Sequence, residues 1–129
     1  MKIEHIAIWV KDLEKMKHFY QTYFNGTANE KYHNPSKNFT SYFLTFESGS
    51  RLELMNKLEI TENLNDWNKQ NIGIIHLAFS VGGATKVDAL TEQLRSDGFE
   101  VVGEPRTSGD GYYESVILDP ENNIVEIIG

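Results

Sequence analysis

Cysteine is absent from the 129 residues, and no run of apolar residues is long. Without cysteine, a disulfide framework and a thiolate metal site are both excluded. No stretch approaches the roughly 20 apolar residues that a helix needs to cross a bilayer. The N-terminal residues, Met1–His5, carry a charged Glu and a His where a secretory signal would have an apolar segment. We therefore expect a cytoplasmic protein without a membrane partner.

Basic residues are also scarce, since 12 Lys and Arg stand against 19 Asp and Glu and give a net charge of −7. A nucleic-acid partner would require a basic patch facing phosphate, and no element of this sequence concentrates Lys or Arg. The content of 40% hydrophobic and 24% charged residues is ordinary for a globular protein of one domain. The charge balance therefore argues against a nucleic-acid partner.

The sequence repeats itself once. Residues His5–Val10 read HIAIWV, and residues His76–Val81, 71 positions later, read HLAFSV. Both are apolar runs of strand character that open on a histidine and precede a helical pattern. This repeat predicts a single domain over 1–129 built from two modules, about 1–60 and about 72–129, with a polar linker over 57–71 that has room for one short helix.

Each module is predicted to contain a strand, a helix and three further strands. In the first module these are a strand at Ile3–Val10, a helix from the N-cap Asp12 to Asn25-Gly26, a weak strand at Thr27–His33, and a hairpin of Phe39–Phe46 and Arg51–Met55 around a turn at 47–50. In the second they are Ile74–Val81, a helix marked by Val87, Leu90 and Leu94 that ends at Gly98, a short strand at Phe99–Val102, a loop at Gly103–Gly111, and a hairpin of Tyr112–Leu118 and Ile124–Ile128. The fold class is therefore α+β, with two βαβββ modules.

The last strand of each module carries one glutamate among apolar residues. Glu53 lies between Leu52 and Leu54, and Glu126 lies between Val125 and Ile127. Because side chains alternate across a strand, each glutamate faces away from its aliphatic neighbours. A carboxylate embedded near a core is costly unless it is paired or coordinated.

If the modules pack about a pseudo-twofold axis, His5, Glu53, His76 and Glu126 can converge on one point and bind a divalent cation. A plainer interpretation is open for each residue alone. A single strand histidine is usually a satisfied core or rim residue, and a single mid-strand glutamate usually faces water or pairs with a base, here Arg51 or Lys57. The matched positions in both modules favour the metal site.

The sequence resembles the vicinal oxygen chelate superfamily, which contains glyoxalase I, bleomycin-resistance proteins, fosfomycin-resistance enzymes, methylmalonyl-CoA epimerase and extradiol dioxygenases. The resemblance covers essentially the whole chain. It is carried by His5–Leu13, the pair Phe19-Tyr20, His76–Val81 and Asp119–Glu126. It implies paired βαβββ modules whose curved sheets form a cup around one divalent metal ion, and it implies a homodimer, as in many relatives.

Glyoxalase-I-like members use four protein ligands, and His5, Glu53, His76 and Glu126 match them. Relatives of the fosfomycin-resistance and extradiol dioxygenase types use three ligands, so Glu53 argues against them. The resemblance implies a lyase or isomerase that abstracts a proton next to a carbonyl through a metal-bound enediolate, with Ni, Zn, Co, Mn or Fe as the metal. Glu126 is then the first choice for the catalytic base, with Glu53 opposite it.

The resemblance implies a small-molecule substrate, either a small carbonyl compound or a hemithioacetal. Trp9 occupies the first-strand position where relatives acting on the glutathione adduct carry a basic residue. Trp9, Arg106 and Tyr112 are the predicted substrate-binding residues, whereas Glu114 is predicted to face solvent. Three alternatives stay open: a bleomycin-resistance-type protein that binds a ligand without catalysis, a three-ligand transferase or dioxygenase, and a site formed across a dimer instead of within one chain.

Overall fold

The structure is a computed structural model that describes residues 1–47, 49–62, 64, 66–69 and 71–129. The chain divides into two compact units, Met1–Glu62 (unit 1) and Asn63–Gly129 (unit 2), close to the predicted module boundaries. Ser48 of the predicted turn, and Asn63, Asn65 and Gln70 of the predicted linker, lie outside the described residues. The described residues between 58 and 71 form turns and bends and contain no helix.

Unit 1 is a five-stranded mixed sheet with one helix. Its elements are β1 (His5–Trp9), α1 (Leu13–Phe24), β2 (Thr27–Ala28), β3 (Tyr32–Asn34), a 3₁₀ turn (Pro35–Lys37), β4 (Phe39–Thr45) and β5 (Arg51–Lys57). The strand order is β1-β5-β4-β2, and β3 also pairs with β4. The weak strand predicted at Thr27–His33 is thus two short strands along the same neighbour.

Helix α1 begins and ends as its sequence predicts. The Asp12 carboxylate accepts a hydrogen bond from the Lys15 amide at 2.9 Å, and Asn25 adopts the left-handed conformation (φ 55°) at the C-terminal end. Apolar residues at three- and four-residue spacing are buried along one side of the helix, and they include Met16, Phe19 and Tyr20. This side covers the sheet face that carries Leu44, Leu52 and Leu54.

Unit 2 repeats the plan with four strands. Its elements are β6 (His76–Ser80), α2 (Ala84–Ser96), β7 (Val101–Thr107), β8 (Tyr113–Leu118) and β9 (Ile124–Ile128), in the strand order β6-β9-β8-β7. Helix α2 packs on β7, β8 and β9 through buried residues such as Val87 and Leu94. Val125 and Ile127 are fully buried, so the helix side of β9 is the core.

The prediction of a loop at Gly103–Gly111 is wrong for its first half, because β7 continues to Thr107. Pro105 donates no backbone hydrogen bond, but β7 is the edge strand of its sheet, where proline is tolerated. The register shifts on both sides of Gly103, where an added Cβ would lie 2.9 Å from the Val116 side chain. A bulged edge strand therefore reads in sequence as a Gly- and Pro-containing loop.

Among the residues that the structure describes, no helix combines the length and the apolar character needed to span a membrane.

Candidate metal centre

In unit 1, two neighbouring parallel strands bring a histidine to a glutamate. Strand β1 pairs with β5 so that His5 lies opposite Arg51 and Ala7 opposite Glu53. Alternation places His5 and Glu53 on the sheet face away from α1, while Leu52 and Leu54 point into the core. His5 Nε2 lies 3.9 Å from Glu53 Oε2, and the Glu53 side chain is only 14% exposed. We call this face the His–Glu face of unit 1.

Unit 2 contains the same arrangement in the same register. Strand β6 pairs in parallel with β9, so that Ala78 lies opposite Glu126 just as Ala7 lies opposite Glu53. His76 Nε2 lies 3.4 Å from Glu126 Oε2, on the sheet face away from α2. In each unit the histidine therefore lies beside the glutamate of the same unit.

The donor atoms of each pair fit a divalent cation. Imidazole nitrogen and carboxylate oxygen both bind such ions at about 2.0 to 2.2 Å. Two donors on one ion are then about 3 to 4 Å apart, depending on the angle between them. The distances of 3.9 Å in unit 1 and 3.4 Å in unit 2 lie in this range.

Within either unit, the described residues contain no group of three or more His, Asp or Glu side chains arranged as metal ligands. The four predicted ligands stay a prediction at this point.

The imidazole of His5 has a second partner that sequence analysis missed. Glu4 Oε2 lies 2.5 Å from His5 Nδ1, the ring nitrogen opposite the one that faces Glu53. Arg51 Nε and Nη2 both donate to Glu4 Oε1, at 2.9 and 2.5 Å. The hydrogen bond to His5 has the largest effect on the pKa of Glu4, desolvation opposes it, and the hydrogen bond and charge of Arg51 add to it, so that the pKa is lowered below its usual value.

Arg51 thus pairs with Glu4 and not with Glu53, and its guanidinium lies 4.3 Å from the ring centroid of Phe43. That ring is nearly perpendicular to the His5 imidazole, at a centroid distance of 5.3 Å. Lys57, the other base predicted to pair with Glu53, instead lies 5.4 Å from the ring centroid of Trp9. A signal for this network exists in the sequence, since Glu4 precedes His5 and Arg51 opens the strand that pairs with β1.

In unit 2, the expectation that Glu114 faces solvent is wrong. Glu114 is 9% exposed and accepts a hydrogen bond from Arg106 Nη2 at 3.2 Å. Val116 lies opposite Glu126 on β8, so alternation places Glu114 on the same sheet face as Glu126. A carboxylate on this half-buried face is stabilised by a basic partner, which explains why the acidic residue is tolerated there.

The three predicted substrate-binding residues have different surroundings. Trp9 lies on the His–Glu face of unit 1, is 44% exposed and contacts Phe39 edge to face at 6.1 Å. Arg106 lies on the face of unit 2 that carries Glu126, through its pairing with Glu114. Tyr112 precedes β8, is 55% exposed and takes no part in the His76–Glu126 contact.

The comparisons with known proteins agree with this fold. The family model described as "Glyoxalase/Bleomycin resistance protein/Dioxygenase superfamily" matches residues 2–127. The uncharacterized protein YqjT of Bacillus subtilis (strain 168) is 24% identical over 133 residues, which cover 98% of this chain and 97% of that protein.

Solved structures are similar at low sequence identity. The trypanothione-dependent glyoxalase I of Leishmania major has a TM-score of 0.77 at 21% identity and is matched over 100% of this chain and 86% of its own. Glyoxalase I from Zea mays has a TM-score of 0.75 at 22% identity over 98% of this chain, which spans only 44% of that protein. These likenesses establish the glyoxalase-like α+β fold. With the family match over nearly its whole length, the chain belongs to the glyoxalase/bleomycin resistance protein/dioxygenase superfamily.

Proposed function

We propose that the protein is a divalent-metal-dependent lyase or isomerase of the glyoxalase I type, acting on a small carbonyl or hemithioacetal substrate. The observation that carries the proposal is the repeated His–Glu pair, with the same register in β1/β5 and in β6/β9. Both imidazoles present Nε2 to the carboxylate, at 3.9 and 3.4 Å. The proposed ligand set is His5, Glu53, His76 and Glu126.

A divalent ion bound by these residues would act as a Lewis acid that polarises the substrate oxygens. The remaining steps belong to the chain's own groups. Glu126 is proposed as the base that removes the proton from the carbon next to the carbonyl and returns it to the neighbouring carbon. Glu53, its counterpart in unit 1, holds the opposite side of the site.

The same two pairs can be supplied by one chain or by two chains of a homodimer, and we propose the homodimer as the assembly. Mixing two inactive variants, His5→Ala and His76→Ala, distinguishes the possibilities. If the pairs of one site come from different chains, a mixed dimer contains one intact site and activity returns. If each site is formed within one chain, the mixture stays inactive.

The test of the function is turnover of hemithioacetals, prepared from a 2-oxoaldehyde and a panel of small thiols, by protein stripped with chelator and then reloaded. We expect turnover only after Ni²⁺, Co²⁺, Mn²⁺, Fe²⁺ or Zn²⁺ is returned. Turnover that survives chelation, or no turnover by reloaded protein that has been shown to bind metal, would contradict the proposal.

A ligand-binding protein of the bleomycin-resistance type is the second candidate, and one feature favours it. Trp9, Phe39 and Tyr32 form a chain of ring contacts on the His–Glu face of unit 1, each 6.1 Å between centroids, with Lys57 beside Trp9. Exposed rings with a nearby cation suit a flat, anionic ligand. Ligand binding, measured by the change in Trp fluorescence, distinguishes the two candidate functions, since a pure binder keeps its affinity for the ligand after chelation.

A further inference from the structure

The two proposed histidine ligands differ in what lies behind them. His5 Nδ1 is within 2.5 Å of the Glu4 carboxylate, which Arg51 holds through two donors. In unit 2, the residue before His76 is Ile75, and the residue opposite His76 on the paired strand is Ile124. Apolar residues therefore occupy the places of Glu4 and Arg51.

The chemistry of the contact determines which nitrogen of His5 carries the proton. A carboxylate only accepts hydrogen bonds, so the ring nitrogen facing it has to be the donor. In a neutral imidazole the other nitrogen is then unprotonated and has a free lone pair. For His5 that nitrogen is Nε2, the atom directed at Glu53.

Arg51 holds in place the Glu4 carboxylate that accepts the hydrogen bond from His5. Its two nitrogens converge on Glu4 Oε1, which leaves Oε2 for the imidazole. The guanidinium also packs on the Phe43 ring, which is nearly perpendicular to the His5 imidazole at a centroid distance of 5.3 Å. Backbone hydrogen bonding ties the same segments together, since the Arg51 amide donates to the Glu4 carbonyl at 3.1 Å.

We propose that Glu4 and Arg51 are positioning residues that fix the Nδ1–H tautomer of His5 and thereby prepare its Nε2 to bind metal. This inference deepens the function proposed above and rests on it only for its metal-binding part. Residues that orient a metal-binding histidine in this way typically change metal affinity by about 10- to 100-fold when they are replaced. His76 has no carboxylate at Nδ1, and the Glu126 carboxylate 3.4 Å from its Nε2 favours the Nε2–H form until a metal binds.

The first experiment needs no metal. Long-range ¹H–¹⁵N NMR of the chelator-treated protein distinguishes the two neutral tautomers of each ring from each other and from the doubly protonated form. We expect His5 as the Nδ1–H form in the wild type. In Glu4→Ile, which gives unit 1 the apolar residue of unit 2, this preference should be lost while the His76 signals stay unchanged.

The second experiment measures Ni²⁺ and Zn²⁺ affinity by competition with a chromogenic chelator. Glu4→Ile should weaken binding about 10- to 100-fold, and Glu4→Gln, which keeps an acceptor oxygen, should lie between it and the wild type. Arg51→Met removes the guanidinium that holds the Glu4 carboxylate. It tests this contact separately, in case Glu4→Ile unfolds. Glu30→Gln, an exposed glutamate elsewhere in unit 1 with the same change in charge, is the control and should bind like the wild type.

The outcomes separate this inference from the proposed function. A wild-type His5 in the Nε2–H form overturns the inference, whatever the protein binds. Normal metal affinity in folded Glu4→Ile and Arg51→Met also overturns it, while the metal site stands. If the wild type binds no metal but His5 has the Nδ1–H form in a Glu4-dependent manner, the metal site fails and the positioning of His5 is retained.

Discussion

The two units hold their His–Glu pairs in the same strand register but support them differently. Unit 1 surrounds His5 with Glu4, Arg51 and Phe43, whereas unit 2 has aliphatic residues next to His76. Unit 2 also has an Arg–carboxylate pair, but its members, Arg106 and Glu114, lie on β7 and β8. The two His–Glu pairs thus share one strand register, while the groups around the two histidines differ.

The two units also differ in the contacts that hold the helix against the sheet. In unit 1, α1 is tied to the sheet at its surface, where Glu14 contacts Lys17, Lys31 and the Tyr42 hydroxyl. In unit 2, the polar contact between helix and sheet is buried: the Thr91 and Ser115 hydroxyls are hydrogen-bonded at 2.6 Å in the core. Removing these two sets of contacts should therefore change the free energy of unfolding by different amounts and with a different dependence on pH.

Under the proposed function, the largest effect is expected on kcat when Glu126 and Glu53 are each replaced by glutamine. Glu126→Gln should lower kcat by about 10²- to 10⁴-fold because it removes the general base. Glu53→Gln should act mainly through weaker metal binding, so that much of its kcat returns at saturating metal. Steady-state kinetics across a metal titration measures this split. A larger loss of kcat in Glu53→Gln would mean that the roles are reversed.

Next in size is the buried hydroxyl pair of unit 2. Thr91 Oγ1 contacts both the Val87 carbonyl and Ser115 Oγ at 2.6 Å, and Ser115 is fully buried. Thr91→Val should lower the free energy of unfolding by about 1 to 3 kcal/mol, because Ser115 loses its hydroxyl partner without gaining water. Denaturant unfolding measures the change.

Two further variants control this result. Adding Ser115→Ala to Thr91→Val should cost less than the sum of the single changes, since the two hydroxyls satisfy each other. Thr22→Val on the exposed side of α1 should change stability by less than about 0.5 kcal/mol. Additive losses in the double variant would show that the pair does not act as a unit.

The helix N-termini offer a smaller contrast. Asp12 caps α1 with its side chain, whereas α2 starts after Gly83 without a side-chain cap. Asp12→Ala should lower the free energy of unfolding by about 1 kcal/mol, and Asp12→Asn should largely preserve it. Thermal unfolding measures both, and equal destabilisation by Ala and Asn would show that the charge matters more than the cap.

The smallest effect concerns Glu14 and is visible as a pH dependence. Hydrogen bonds from Lys17, then from Lys31 and Tyr42, lower the pKa of Glu14 from 4.5 to about 2. Because the folded-state pKa is depressed, the stabilisation is complete above the unfolded-state pKa of about 4.5 and is lost as pH falls towards 2. The side chain is 53% exposed, so solvent screening limits the contribution to about 0.2 to 1 kcal/mol.

Glu14→Gln should therefore reduce stability slightly at pH 7 and should match the wild type near pH 2. Denaturant unfolding over this pH range provides the measurement, with Glu30→Gln as the charge-matched control. A difference between wild type and Glu14→Gln that grows as pH falls would contradict the assigned cause.

Much of the architecture was predictable from local pattern. Strand β9 has the predicted bounds because Ile124–Ile128 is a short run of mostly β-branched residues that follows a turn, and α1 has both its cap and its left-handed terminal Asn. The extent of β7 was not predictable, because Gly103 and Pro105 read as loop residues until the edge position of the strand is known. Tertiary placement overrode local propensity there.

For the candidate site, the choice of His5, Glu53, His76 and Glu126 followed from the repeat, whereas the parallel pairing that brings each histidine beside the glutamate of its own unit is known only from the structure. The partners of the charged residues did not follow. Arg51 has Glu53 two positions away on its own strand, yet it bonds to Glu4 across the parallel pair. Glu114 reads as a surface residue, yet its face of the sheet is buried and Arg106 satisfies it. Choosing between such partners requires the register of neighbouring strands, which a single sequence leaves open.

The most direct test of the central claim is the stoichiometry of metal binding to chelator-stripped protein, measured by native mass spectrometry and by calorimetric titration with Ni²⁺ or Zn²⁺. If the two His–Glu pairs form one site, the wild type binds one ion per chain. His5→Ala and His76→Ala should then each weaken that ion by more than the about 10- to 100-fold typical of a supporting residue. Two weak, independent ions per chain, of which each variant removes only one, would contradict the account, as would a folded wild type that binds none.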